Sequence, residues 1–438
     1  MNFAESTRYL LSLGHETLAM KLGLRNTELL LQGLGNPQKS YEAVQIAGTN
    51  GKGSTAAMLD SICRAAGIPT GLYTSPHLVS ITERIKINGE SISEESFAAF
   101  ASEVRTVAED LLQDRVIEAV PTFFEHITAI ALSAFQAANV RLVILETGLG
   151  GRLDATTVAG AKTIGITSIS LDHQEYLGES IEEIAAEKAA TIRPGVTAII
   201  APQTEPARKV ISQYAKQVQV KPIFIESKPA EISTTSDGFF VVSFETHADS
   251  YENVLLGLRG RHQFANAALA IQLAESLRDR GFAIPKTAII DGLKSAEHPG
   301  RLTSVDGNSI LLDGAHNPAA ARALRDYLDE FAPGPVTMVF GAMRDKPLEE
   351  MAAILFRSVA HLVLTQPDNV RAASLDVLSN VAGKVLGKQK ILVAPQVDEA
   401  LRLAREVTPV DGIICVTGSL YLVGEALATL QAAKKVSL

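Results

Sequence analysis

Two cysteines, Cys63 and Cys415, stand far apart in the 438-residue chain. That spacing excludes a disulfide framework and a zinc motif, and a reducing cytoplasm is the simplest compartment. An excess of positive charge is also missing: 40 Lys and Arg face 49 Asp and Glu, a formal charge of −9 with pI ≈ 5.6. Broad nucleic-acid binding and adhesion to an anionic membrane are therefore not expected. No stretch reaches the about 18 consecutive apolar residues of a membrane span. The best candidate, Ile127–Val140, is broken by Thr128, Ser133, Gln136 and Asn139 and suits a buried helix. The first 18 residues carry Glu5 early and lack an arginine-rich or long apolar run, so they read as a first helix, not a signal peptide. Repeats, low-complexity tracts and long structureless linkers are absent as well. What remains is 46% hydrophobic and 20% charged, the balance of a globular protein with more than one core.

Short apolar runs alternate with helical patterns. Strands are expected at Ala43–Ala47, Leu142–Leu145, Thr163–Ile169, Thr197–Ala201 and Lys221–Ile225. Helices are expected at Ser54–Ala66, Ile181–Ile192 and Glu205–Val218. Strands separated by helices imply parallel βαβ units. Near Ala230 the texture changes, and Gly238–Glu245 with Asn253–Arg259 suggest a small antiparallel patch, followed by helices at Asn266–Arg280 and Lys286–Ser295. The Pro299-Gly300 turn marks a boundary. Beyond it the βα rhythm restarts, with strands at Ser309–Asp313, Val336–Phe340, Leu362–Thr365, Ile391–Ala394 and Ile413–Val416 and a last helix after Ser419. The fold class is α/β. A mostly parallel sheet of P-loop type with an antiparallel patch fills residues 1–297, and a smaller Rossmann-like α/β domain fills 298–438.

Gly48-Thr49-Asn50-Gly51-Lys52-Gly53-Ser54-Thr55 lies between an expected strand and an expected helix. Glycines let backbone N–H groups approach phosphate, the helix N-terminus adds positive dipole, and Lys52 can neutralise transferring phosphate. Ser54 or Thr55 could ligate Mg²⁺. The spacing departs from the general G-x-x-x-x-G-K-[ST] pattern, since Gly53 follows Lys52 directly.

Other polar groups fall at strand ends, where ligands bind in open α/β sheets. Glu146 ends the strand at 142–145 and is placed either as a metal-binding acid or as a cap on the glycine turn behind it. Asp172-His173 follows the strand at 163–169, and a lone histidine there is more often structural. Ser75-Pro76-His77 could reach phosphate or metal, or simply cap a turn. Lys188, among Glu182, Glu183, Glu187 and Arg193, reads by itself as part of a solvated charged face. Asp313 and His316, in Asp313-Gly314-Ala315-His316-Asn317-Pro318, would face the crevice between domains, and Arg301 sits on the hinge.

In this order the segments GTNGKGS (48–54), YTSPHL (73–78), ERI-ING (83–89), TFFE (122–125), ETGLGGRLDAT (146–156), LDH (171–173), EKA (187–189), PGR (299–301) and DGAHNP (313–318) resemble the folylpolyglutamate synthase and dihydrofolate synthase branch of the Mur ligase superfamily. The resemblance implies that Thr49, Asn50, Gly51, Lys52, Gly53 and Ser54 hold ATP phosphates, with Asn266, Arg301 and Asp313 completing the ATP site. It implies two Mg²⁺ ions held by Ser54, Ser75, Glu146, His173 and Lys188, the last as a carbamate. It implies a pterin site at Met20, Lys21, Leu22, Gly23, Thr122, Phe123, Phe124, Glu125, Leu153, Asp154 and Ala155, and glutamate near His316 and Ser419. Thr157 stands where the family often has Asn. Lys21 stands where some bifunctional members carry an acid, which bears on pterin preference.

The chemistry so implied joins L-glutamate to dihydropteroate or a reduced folate through an acyl phosphate made with ATP. Lys52 would offset phosphate charge, and His316 would stabilise the tetrahedral intermediate. The expected protein is a cytoplasmic monomer whose partners are these small molecules, not nucleic acid or membrane. The alternatives are another Mur-type amide ligase acting on a UDP-muramyl peptide, and a non-catalytic ATP-binding module.

Overall fold

The computed structural model describes residues 1–14, 23–307, 309–387 and 390–436. Its first sheet holds β1 (Glu42–Ala47), β2 (Thr70–Tyr73), β3 (Ile85–Ile87), β4 (Glu90–Ser91), β5 (Leu142–Glu146), β6 (Thr163–Ile166), β7 (Thr197–Ile200) and β8 (Ile223–Phe224). The spatial order is β4-β3-β2-β5-β1-β6-β7-β8, parallel except where β3 joins β2 and β4. Every residue of β5 is buried, as expected of a parallel strand covered on both faces. Buried Gln45 interrupts the apolar run of β1, and its amide donates to the hydroxyls of Thr156 (3.0 Å) and Thr157 (2.9 Å). Thr157 is thus a partner of the central strand.

Helix Phe123–Ala137, which contains most of the run read as buried rather than membrane-spanning, is indeed packed into the core. No helix among the described residues is long and apolar enough to cross a membrane.

A separate antiparallel sheet follows, of β9 (Ala230–Thr234), β10 (Phe240–Glu245) and β11 (Ser250–Leu255), in the order β11-β10-β9. The sequence reading missed β9 because all five of its residues are exposed, so no alternation of burial marks it. It also placed the β11 strand a few residues late.

The last sheet is built from β12 (Thr303–Val305), β13 (Ile310–Leu312), β14 (Val336–Phe340), β15 (His361–Leu364), β16 (Ile391–Val393) and β17 (Ile413–Thr417). Its order is β12-β13-β17-β14-β15-β16, with only the β12–β13 pair antiparallel. The missed strand β12 is short and half-buried. The three-stranded sheet meets both parts of the chain through aromatic edges: Phe240 lies 5.1 Å from Phe264 of helix Gln263–Asp279 and 5.6 Å from Phe331 of helix Pro318–Phe331 between ring centroids. Both cysteines are free and buried.

Candidate active site

Strand ends converge on one cavity of about 260 Å³ between the first and last sheets. The chain leaves β1, turns through residues 48–51 and enters helix Lys52–Ala65. Gly51 takes a left-handed φ of 90° as the N-cap. A Cβ there would lie 2.1 Å from Asn266 Oδ1, so helix Gln263–Asp279 presses directly on the loop.

Thr49 and Asn50 anchor this loop. Their N–H groups both donate to the Ser168 carbonyl, at 3.0 and 3.3 Å. Thr49 Oγ1 donates to the Ser170 carbonyl, and the Asn50 amide donates to Ser170 Oγ. Ser168 thus takes both of these N–H groups, while Thr49 and Asn50 line the cavity. The first-turn N–H groups of Lys52, Gly53 and Ser54 need no intrahelical partner and line the cavity. Lys52 Nζ lies back on the Thr49 carbonyl at 3.1 Å.

Glu146, the last residue of β5, is 5% exposed and accepts a 3.1 Å hydrogen bond from the Ser75 N–H. Burial pushes its carboxyl up, and Lys52, the Ser75 N–H and Arg301 pull it back. Lys188 sits near the end of helix Ile181–Ala189, which starts on a capping box between Ser180 and Glu183. It is 4% exposed, which overturns its reading as part of a solvated face. Burial, then the neighbouring Lys52 charge, brings its amine down to about 7. The helical charge pattern misled because Glu182, Glu183 and Glu187 are partly or fully exposed while Lys188 alone turns inward. Burial also takes His173 down to about 3, so the ring stays neutral near neutrality despite Asp172 beside it.

The C-terminal part supplies the opposite wall. Asp313 accepts from the N–H groups of Leu302 and Ala315, both at 3.0 Å, and burial raises its carboxyl against the pull of Arg301. Arg301 Nη1 donates to the Gly314 carbonyl at 3.4 Å. Asn317 caps helix Pro318–Phe331, with Pro318 in its first turn.

Sequence reasoning noticed Asp172 only as a neighbour of His173 and gave it no role. Its carboxylate accepts from Lys346 Nζ (2.7 Å) and Asn317 Nδ2 (3.0 Å) and lies 3.4 Å from His316 Nε2. Burial opposes its ionisation, but the His316 hydrogen bond and charge, with His173 and Lys346, hold it well below the usual carboxylate range. Asn317 Nδ2 also reaches Asn50 Oδ1 at 3.0 Å, so one amide ties the phosphate loop and Asp172 to the C-terminal part. His298 was missed too. A Cβ on Gly53 would lie 2.6 Å from its Nε2, and burial followed by Arg301 lowers it to about 3. Its place inside the Glu297–Arg301 turn segment was the available signal.

The expected phosphate, metal and nucleotide residues all line this cavity, together with His316. The expected pterin residues come from three segments, 20–23, 122–125 and 153–155. Met20, Lys21 and Leu22 lie outside the described residues, and Gly23 does not line the cavity. Thr122 and Glu125 form a reciprocal capping box at the start of helix Phe123–Ala137, and Glu125 also accepts from Thr27 Oγ1. Phe123 is buried beneath the Arg84 guanidinium, 5.3 Å from the ring centroid. Asp154 is engaged by the N–H groups of Gly148, Leu149 and Thr156 and by the Thr156 hydroxyl, which fixes the glycine turn; Leu153 and Ala155 line neither cavity. Phe124 lines a second cavity of about 120 Å³ that it shares with His316 and Ser419. Ser419 Oγ there accepts from the Leu422 N–H at the start of the last helix.

Residues 46–274 match the Mur ligase middle domain, and residues 300–420 match the Mur ligase glutamate ligase domain. A Bacillus subtilis dihydrofolate synthase/folylpolyglutamate synthase is 35% identical over 95% of this chain and 97% of its own length. The chain belongs to the folylpolyglutamate synthase/dihydrofolate synthase family of Mur ligases. A Haloferax volcanii protein, a probable bifunctional folylpolyglutamate synthase/dihydropteroate synthase, is 35% identical over 98% of the chain, which spans 50% of that longer protein. The structure of Escherichia coli FolC in complex with DHPP and ADP superposes with a TM-score of 0.87 at 31% identity, covering 99% of each chain.

The donor set of this Mur ligase suits Mg²⁺. Among the described residues no three His, Cys, Asp or Glu side chains cluster as a closed metal cage. Mg²⁺ is ordinarily held by one or two carboxylates, with water and substrate phosphate completing its coordination. Glu146, buried beside only one backbone donor, offers such a carboxylate, and a cation beside it would favour its charged form.

Proposed function

We propose that this chain catalyses the ATP-dependent joining of L-glutamate to a folate-type carboxylate: that of dihydropteroate, the γ-carboxyl of a reduced folate, or both. The substrate carboxylate attacks the γ-phosphoryl group of ATP, ADP leaves, and an acyl phosphate forms. The glutamate amine then attacks the acyl carbon, phosphate leaves, and an amide remains. The observation that carries this reading is the shared cavity: the phosphate loop, Glu146 and Lys188 face Asp313 and His316 across it, and the buried Asn317 amide joins Asn50 beside it.

Phosphoryl transfer asks the protein mainly for positioning and for offsetting charge. Lys52 and the first-turn N–H groups of its helix suit the phosphates, with Asn266, Arg301 and Asp313 around the rest of the nucleotide. Ser54, Ser75, Glu146, His173 and Lys188 would hold Mg²⁺, which when bound supplies Lewis-acid charge. An amine lowered to about 7 has a large neutral fraction near pH 7.5, the form that combines with CO₂, so Lys188 is suited to a carbamate. His316 donates Nδ1–H to the Gly314 carbonyl at 2.8 Å, which fixes its ring against the cavity. Its Nε2 faces the Asp172 carboxylate at 3.4 Å, and it is the proton on that nitrogen that would be offered to developing charge on the acyl oxygen. We take residues 1–297 as the ATP-binding unit and 298–438 as the unit that brings glutamate. We further propose a monomer working in the reducing cytoplasm, in keeping with two free buried cysteines.

The test is one panel with ATP and Mg²⁺, reading ADP release. Dihydropteroate, tetrahydrofolate, methylene-tetrahydrofolate and a UDP-muramyl peptide are each given with and without L-glutamate. Release that needs both a pteroate or folate and glutamate is the expected result. Release with the muramyl peptide alone among the acceptors would overturn the folate assignment.

A further inference from the structure

Residues 74–80 form the loop whose Ser75 N–H donates to Glu146 at 3.1 Å. The loop is braced as one piece. The Thr74 N–H donates to the Arg84 carbonyl at 3.1 Å, and Arg84 Nε donates to His77 Nδ1 at 2.8 Å. The Glu83 carboxylate accepts from the N–H groups of Leu78, Val79 and Ser80, at 2.8, 3.0 and 2.8 Å. A push on Leu78 therefore moves the loop as a body, because close-packed, hydrogen-bonded segments pass strain on instead of absorbing it.

The push comes from the C-terminal part. Leu78 packs against the apolar cluster that holds Leu422 and Val423. A Cβ on Gly300 would lie 3.1 Å from Leu78 Cδ1 and 3.4 Å from Val423 Cγ1, so Leu78 is wedged between the hinge and the last helix, Leu420–Val436. Gly424 lies buried inside that helix, where glycine is less stable than alanine. Here alanine is excluded: its Cβ would lie 2.7 Å from the Leu78 carbonyl carbon and closer still to the oxygen. The backbone of the helix thus rests directly on the backbone of the loop.

The same helix starts at the cavities. Leu420 lines both of them and Tyr421 lines the second. Gly424 follows these residues by four and three positions, which puts it one turn along the same face. One rigid helix therefore spans the distance from the cavity contents to Leu78, and Leu78 lies three residues from the N–H that Glu146 accepts.

Resting on the proposed ligase reading, we propose that Leu78 is a positioning residue for the reaction. Seated under Gly424, it sets the Ser75 N–H against Glu146 and so aims the carboxylate that would receive the metal.

The experiment measures Mn²⁺ binding in the presence of ADP by electron paramagnetic resonance, ADP binding in EDTA by calorimetry, and steady-state ADP release. The proteins are wild type, Gly424→Ala, Leu78→Ala, Leu78→Met and Gly383→Ala, each checked for folding by circular dichroism. Gly383 ends helix Leu375–Gly383, and a Cβ there meets nothing within 4 Å among the described residues, so Gly383→Ala should match wild type throughout. Gly424→Ala and Leu78→Ala should weaken Mn²⁺ binding about 10- to 100-fold, the usual loss when a contact behind a metal ligand is disturbed. Their kcat should fall as well, whereas ADP affinity without metal should hold, because neither residue lines the first cavity. Leu78→Met keeps the wedge and should recover most of the loss. Wild-type Mn²⁺ affinity in folded Gly424→Ala or Leu78→Ala overturns the proposal. So does an equal loss of Mn²⁺ binding and of metal-free ADP binding, which marks a general loosening, or a Leu78→Met variant no better than Leu78→Ala. Should Gly424→Ala not fold, the two Leu78 variants decide. Absence of glutamate-dependent ADP release in the wild type is a different failure and falls on the ligase reading itself.

Discussion

Lys346 Nζ and Asp172 Oδ1 lie 2.7 Å apart, with each side chain 6% exposed, and they belong to opposite sides of the cavity. Asp172 follows β6 of the first sheet, and Lys346 follows β14 of the last. Removing one partner of a buried pair strands the other charge, at a cost of about 3–5 kcal/mol. Lys346→Met should therefore lower the thermal midpoint by several degrees, and adding Asp172→Asn should restore much of it. A double variant no more stable than Lys346→Met alone would show that the pair carries little of the contact.

Lys52→Ala should leave the fold intact, since among the described residues the one hydrogen bond of Nζ is to the Thr49 carbonyl, at 3.1 Å. Turnover should drop on the order of 10²–10³-fold, the usual loss for one preorganised electrostatic contact. Near-wild-type ADP release by the folded variant would remove Lys52 from the phosphate site.

Lys188 gives two linked expectations. Its amine is lowered to about 7 in the folded chain against about 10.4 in an unfolded one. Between those values the unfolded state binds the extra proton, so this residue makes stability rise with pH from about 7 to 10, and its penalty is fully present below 7. In CO₂-depleted buffer at pH 7, Lys188→Met should be more stable than wild type, as read by denaturant midpoint. Lys188→Ala should be almost inactive and partly rescued by acetate. Wild-type activity in that variant would take Lys188 out of the site.

Thr122 and Phe124 separate helix capping from ligand contact. Thr122→Ala removes an N-cap and should cost about 1 kcal/mol of stability with little change in KM for the folate substrate. Phe124→Ala should raise that KM, because Phe124 lines the second cavity. The reverse pattern in a folate titration would return Thr122 to the binding site.

The sequence was most readable where strand, turn and helix followed each other without a break. The run from Glu42 to Ala65 showed β1, the phosphate loop and its helix because burial on both faces leaves a mostly apolar strand, broken by Gln45, that ends directly on the glycine turn. Strand β9 was invisible for the opposite reason, being exposed along its whole length. Within the site, motif position located Glu146 and His316 but could not tell a capping carboxylate from a liganding one, as Glu125 and Asp154 show. Lys346 and Asp172 could not be paired by reading along the chain, because 174 positions separate them and neither sits in a pattern that names the other.

Asn317 spends a single amide nitrogen on two acceptors, Asn50 Oδ1 in the phosphate loop and Asp172 Oδ2 after β6. A loop tied to the far half of the molecule in this way is coupled to it. On the proposed ligase reading, if nucleotide and amino acid both favour the joined arrangement, each tightens the binding of the other by the same factor. Asn317→Ala should then be felt as lost cooperativity between substrates before it is felt as lost affinity for any one of them. The molecule would still bind each reactant, but each would arrive without news of the others.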